Sequence, residues 1–309
     1  MQGIAKATGH ALGHRLLALV AAVLFVGTSV AMGSSAASAA GTSTNRTPTT
    51  DPTFLLAIGA SFSVGLQPTA RHTLGQPTHR GYANDLVTMQ AVKGTRLQLV
   101  QTGCPGESTS QVLFGGDHCY APGDSQLLRA VAFLQSHQSQ EGVVTLDLGF
   151  NDLHGCLFHG TVDMNCVTQR MNLLSVQLPQ IITALKAAAG PQVKFVGINH
   201  YNPYLAAALR GPTGKAFADA SVNAINLLNS TLATVYSQNS IPVADVAAQF
   251  NTLDTTPVNV SGLGTVPKNL AQICALTWMC HAPPYGPNLH PNDKGYQTIA
   301  DAIAAVLPA

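Results

Sequence analysis

Short apolar runs and helical patterns alternate along this chain. Thr53–Ile58 (Thr-Phe-Leu-Leu-Ala-Ile) is the first run and ends at Gly59; Leu97–Val100, Val143–Leu148, Val193–Ile198 and Ile241–Val246 follow. Runs this short, without polar alternation, suit strands covered on both faces. Helical spacing fills the intervals. Ser125–His137 sets Leu127, Leu128, Val131 and Leu134 on one side, and Thr168–Ala189 and Ala216–Tyr236 are longer examples. A final helix is expected over Asp293–Val306, with Tyr296, Ile299, Ala300 and Ile303 turned inward. Strands separated by helices predict an α/β domain built on a parallel sheet of about five strands, covered on both faces.

That architecture assigns a place to particular residues. Open α/β sheets bind ligands at the carboxyl ends of their strands. Ser61 follows the first run, Gly106 the second and Asn151 the third, so all three are expected on one rim. The segment Asn199-His200-Tyr201-Asn202-Pro203-Tyr204 follows the fourth run and faces the same way, either as pocket lining or as plain loop.

The N-terminal residues stand apart from this pattern. Lys6 and Arg15 give a basic start, Leu16–Met32 is apolar, and the small residues Gly33–Ala40 contain Ala37-Ser38-Ala39. This is the layout of a secretory signal over 1–39, cleaved after Ala39. The apolar stretch is broken by Gly27, Thr28 and Ser29 and falls short of the roughly 20 residues a membrane span needs. Residues 40–52, rich in Thr, read as a disordered leader, and 53–309 as one domain. The expected location is extracellular, with the cell envelope as the other possibility. The expected state is a monomer without a stable membrane span.

Charged residues are only 9% of the chain and the net charge is +1, which leaves no electrostatic footprint for nucleic acid or an anionic membrane. Six cysteines behind an export signal favour disulfides, and none of their spacings suits zinc. Fifteen pairings are possible. Neighbour pairing (Cys104–Cys119, Cys156–Cys166, Cys274–Cys280) closes the shortest loops and costs the least entropy.

The rim residues also make chemical sense together. A serine hydroxyl must pass its proton to a base as it attacks, and imidazole titrates near neutrality. Ser61 is the candidate nucleophile and His290 the candidate base, with Ser63 the competing serine. The tetrahedral oxyanion formed on an ester needs donors aimed at it. The N–H groups of Ser61 and Gly106 and the side chain of Asn151 could supply them. Each residue also has a plain reading. Ser61 could cap a helix, Gly106 could be a turn glycine after Pro105, and Asn151-Asp152 could close a strand. His290, one of eleven histidines, could simply begin the last helix. Among weaker candidates, His154 and His159 flank Cys156 and could touch substrate or metal or simply sit on a loop held by a Cys156–Cys166 bridge, and Trp278 could be pocket wall or core.

Gly59-Ala60-Ser61, Gly106 within Cys-Pro-Gly-Glu, Gly149-Phe150-Asn151-Asp152 and His290 resemble, in order, the four blocks of the SGNH hydrolases, also called the GDSL esterase/lipase family. Secreted actinobacterial members, which tend to carry three disulfides, are the most similar. The resemblance spans about Phe54–Ala305. It implies a flavodoxin-like three-layer α/β/α sandwich, Ser61 as nucleophile, His290 as base, and an oxyanion hole of Ser61, Gly106 and Asn151. The implied substrate is a small-molecule or lipid ester, and no cofactor or metal is implied. Two positions depart from the family pattern. Ala60 replaces an aspartate, and Pro287 and Asn288 stand where the acid orienting the histidine usually lies. Some members use a main-chain carbonyl for that purpose, and here the Pro287 carbonyl is expected to do so. A carbohydrate deacetylase with the same residues and an inactive binding protein on the same fold remain as alternatives.

Overall fold

The computed structural model describes residues 53–116, 118–158 and 160–307. The expected signal and leader, residues 1–52, lie outside the described residues. The central sheet contains β1 (Thr53–Gly59), β2 (Leu97–Gln101), β3 (Gly142–Asp147), β4 (Val193–Ile198) and β5 (Val243–Ala244). All are parallel, in the order β2-β1-β3-β4-β5. This is the doubly wound order of flavodoxin-like sheets, whose ligand crevice lies between β1 and β3.

The runs of β1 and β3 are buried because helices cover both faces. Phe54, Leu56 and Ile58 of β1 enter one core with Val144 and Leu146 of β3. Leu55 and Ala57 enter the other core with Val143. The first core is closed by α3 (Gln126–Ser136), α5 (Met164–Ala188) and α6 (Pro212–Gln238), through Leu134, Leu174, Ile181, Leu228 and Tyr236. The second is closed by α1 (Tyr82–Val92), α8 (Lys268–Leu276) and α9 (Asp293–Val306), through Leu86, Ile273, Ile299 and Ile303. Each fully buried Leu, Ile or Phe contributes on the order of 1.5–3 kcal/mol of transfer free energy, so the one strand β1, feeding two cores, anchors both layers.

Several elements differ from the pattern-based expectation. β5 is two residues long rather than Ile241–Val246, because the Asp245 side chain accepts from Ala248 N and starts α7 (Val246–Gln249). Helix α1, α2 (Thr109–Phe114), α4 (Phe150–His154) and α8 were not expected from periodicity, and neither was the 3-10 helix over Pro203–Arg210. α2, α4 and α7 are too short to show a repeat, and α1 faces its core through little more than Tyr82, Ala83 and Leu86. Disulfides join Cys104–Cys119, Cys156–Cys166 and Cys274–Cys280, at Cα separations of 6.0, 5.6 and 5.0 Å.

Candidate active site

The turn after β1 is fixed on both sides. Gly59 has φ +150°, and a Cβ there would lie 2.4 Å from the Asp147 carbonyl oxygen, so only glycine lets the ends of β1 and β3 come this close. Ala60 N donates to that carbonyl at 3.1 Å, and Ser63 N donates to the Asp147 carboxylate at 3.2 Å. From the other side Gln126, at the start of α3, clamps Gly59. Its Oε1 accepts from Gly59 N at 2.7 Å, and its Nε2 donates to Gly59 O at 2.9 Å and to the Glu107 carboxylate. Ser61 is left half-buried at the tip of the turn. The competing Ser63 is fully buried, and its hydroxyl donates to the Ala60 carbonyl at 2.6 Å. Only Ser61 of the two presents itself to a ligand.

The second and third blocks are tied to the first and to each other. Cys104 N donates to Gly59 O at 3.1 Å, which brings the loop after β2 against the turn. Gly106 has φ +86°, and open space lies where a side chain would project. Asn151, in the first turn of α4, donates one amide hydrogen to Glu107 O at 3.0 Å, which leaves a second available. Asp152 accepts from the backbone N–H and the hydroxyl of Thr109 (3.1 and 2.6 Å), so it binds the third block to α2 rather than acting on a substrate. Among the described residues, neither Ser61 N nor Gly106 N meets an acceptor. The turn thus carries a half-buried hydroxyl and an unpaired N–H at Ser61, and the loop bonded to it carries a second unpaired N–H at Gly106.

His290 arrives from the far end of the chain, held by bonds to the stretch that follows Ser61. Gln67, fully buried, donates to Asp293 Oδ1 at 2.9 Å and accepts from Trp278 Nε1 at 3.2 Å. Tyr296 donates to Leu66 O at 2.8 Å, and Arg80 pairs with Asp293 at 2.9 Å. Trp278 also donates its backbone N–H to His290 O at 3.0 Å, so its part is to staple this loop. The ring of Phe62, next to Ser61, is stacked on Tyr201 and meets His290 edge-on with centroids 6.4 Å apart. Burial, reinforced by the nearby His154, holds the His290 pKa down to about 4, so the imidazole is neutral at ordinary pH, as a base must be.

One expectation is corrected here. The acceptor facing the imidazole is not the Pro287 carbonyl but the Asn288 side chain, whose Oδ1 lies 2.7 Å from His290 Nδ1 and 3.0 Å from His290 N. An asparagine two residues ahead curls back on the ring, and the carbonyl at Pro287 is not needed.

The remaining candidates divide. His154 faces the site, with Nδ1 2.6 Å from the Tyr204 hydroxyl and its ring near-parallel to those of Phe150 and Tyr204. His159 lies outside the described residues. In the Asn199–Tyr204 segment, Tyr201 donates to Leu289 O at 2.7 Å and supports the base from behind. His200 is buried, with Nε2 donating to Leu148 O at 3.1 Å, and its pKa is depressed to about 4 by burial. Asn199 and Asn202 serve the main chain and its neighbours. Pattern reading missed Asp147, Gln126 and Asn288. Asp147 had a signal, since an acid closing a fully buried strand must be held by something. Burial raises its pKa to about 7 against the backbone donors of the Ser61 turn. A cavity of about 630 Å³ lies at the opposite edge of the sheet, lined by Thr53, Leu97, Gly142 and Lys194 at the strand N-termini, and has no part in this site.

Residues 57–298 match the model of the GDSL-like lipase/acylhydrolase family. The chain belongs to that family. Membership makes it a carboxylic ester hydrolase. Solved structures agree on the fold. A phospholipase A1 from Streptomyces albidoflavus NA297 is similar with a TM-score of 0.52 and 18% identity, over 82% of this chain and 99% of that one. An extracellular lipase from Streptomyces rimosus gives 0.51 and 16%, over 82% and 100%. A goat rumen metagenome lipase gives 0.50 and 16%, over 82% and 96%. No match is found among curated protein sequences. Within the GDSL-like family pattern, Ala60 departs from the usual first block, and the Asp147 carboxylate supplies from β3 an acceptor for the turn that Ala60 cannot.

Proposed function

We propose that this GDSL-like hydrolase is a secreted serine esterase or lipase that works through an acyl-enzyme. Ser61 Oγ attacks the ester carbonyl carbon while His290 Nε2 takes its proton. The tetrahedral intermediate then collapses, and the departing alcohol receives that proton. Water, deprotonated by His290, attacks the acyl-Ser61 ester, and release of the carboxylic acid returns the proton to Ser61. The oxyanion in both halves is met by Ser61 N–H, Gly106 N–H and the spare Asn151 amide hydrogen, and donors of this kind usually make the largest catalytic contribution in acyl transfer. The observation that supports this reading is a half-buried Ser61 whose N–H is unpaired, on a turn to which the Gly106 loop is bonded through Cys104 N, while the ring of the adjacent Phe62 meets a neutral His290 edge-on. Three disulfides, and the export signal expected from the sequence, support secretion.

A panel of short-chain, long-chain and acetylated-sugar esters tests the assignment and ranks the substrate classes. Wild type should turn over carboxylic esters of aliphatic alcohols, Ser61→Ala should lose turnover, and Asn151→Ala should lower kcat by about 10²–10³. Full activity in Ser61→Ala would overturn the mechanism. Activity confined to acetylated sugars would reassign the substrate to a carbohydrate ester.

A further inference from the structure

The Asn288 side chain does more than fill space beside His290. Its Oδ1 faces both His290 Nδ1 (2.7 Å) and His290 N (3.0 Å). Its Nδ2 lies 3.2 Å from Thr73 O and 3.2 Å from Leu74 O, on the loop that follows the nucleophile. Both carbonyls can only accept, so the amide cannot be reversed: turning it would set oxygen against two carbonyl oxygens and NH₂ against the His290 N–H. Oδ1 likewise only accepts, so Nδ1 must carry the imidazole hydrogen. The lone pair is thereby placed on Nε2, the atom that must take the serine proton.

We propose that Asn288 is the positioning residue for His290, a neutral amide in place of an acid, anchored by the Thr73 and Leu74 carbonyls. The assignment rests on the serine–histidine reading above. Thr69 N and His72 O, His72 N and Thr69 O, and Gly75 N and His72 O are all hydrogen-bonded, so the anchoring carbonyls sit on an internally braced loop. The loop is closed at its base by the Gln67–Gln76 bridge. A tautomer and ring angle fixed this way need no charge. A carboxylate would in addition stabilise the imidazolium, and this site lacks that contribution. His154 acts on the ring electrostatically, Tyr201 bonds the adjoining Leu289 carbonyl, and Arg71 and His72 lie on the anchoring loop.

The test is steady-state kinetics over pH for wild type, Asn288→Ala, Asn288→Asp and Ser61→Ala, with thermal melts to confirm folding. Asn288→Ala should lose about 10–100-fold in kcat with KM little changed, the scale seen when the partner that orients a metal-bound histidine is removed. Asn288→Asp keeps an acceptor, so it should recover much of that kcat. By placing a charge beside the ring, it should also move the acid limb of kcat/KM upward by about one pH unit or more. Wild-type kcat in folded Asn288→Ala, or an unmoved acid limb in Asn288→Asp, overturns the role of Asn288. If Asn288→Ala does not fold, the acid limb of Asn288→Asp decides alone. Loss of activity in Ser61→Ala together with full activity in Asn288→Ala refutes this assignment only. Full activity in both refutes the serine–histidine reading as well.

Discussion

Asn288 and Ser61 illustrate opposite kinds of legibility. Ser61, Gly106 and Asn151 each come soon after an apolar run, so alternation of pattern was enough to expect them on one rim. Asn288 contacts Thr73 and Leu74 across more than 200 residues of sequence, and an asparagine before a histidine carries no local mark of that. Asp147 was absorbed into an apolar run, and Gln126 into a helix start. Burial at His290 has a measurable consequence. Its pKa is depressed from 6.5 to about 4, and attack requires the neutral ring. The kcat/KM of the free enzyme should therefore hold as pH falls through 6.5 and decline only as pH approaches about 4. An acid limb near 6.5 would mean that the ring is solvated and not packed as described.

The central strands β1 and β3 were readable because covered strands need uninterrupted apolar residues. The long helices α5, α6 and α9 were readable because their repeats persist over several turns. Short helices such as α2 and α4 owe their form to tertiary bonds, Asp152 on Thr109 among them, which no periodicity records. The junction of α3 with β1 is the element contact on which the site most depends. Gln126→Leu would keep the volume but leave the buried Gly59 N without its acceptor and remove one donor each from Gly59 O and the Glu107 carboxylate. Each buried polar group left unmet costs about 1–3 kcal/mol. Urea denaturation should show a loss of at least ~2 kcal/mol, and the variant should also lose turnover because the Ser61 turn is no longer clamped. A stability within 0.5 kcal/mol of wild type, roughly the range of neutral surface changes, would show that water replaces the clamp.

Across the whole molecule, a sheet of order β2-β1-β3-β4-β5 places the β1 and β3 ends together and leaves the C-terminal segment to be fastened across them. That fastening is polar. Gln67 with Trp278 and Asp293, Tyr296 with Leu66, and Asn288 with the 73–74 carbonyls hold the start of the domain to its end. The sequence showed that a serine and a histidine lay at opposite ends of one domain, but the bonds that join them appear only in three dimensions. The central claim is that Ser61 is a nucleophile activated at this seam. Reaction of folded wild-type protein with a fluorophosphonate probe, followed by peptide mapping, measures that directly. A single adduct on Ser61, absent after denaturation, is the predicted result. A folded, ester-hydrolysing protein that carries no adduct there, or carries it on another serine, would contradict the account.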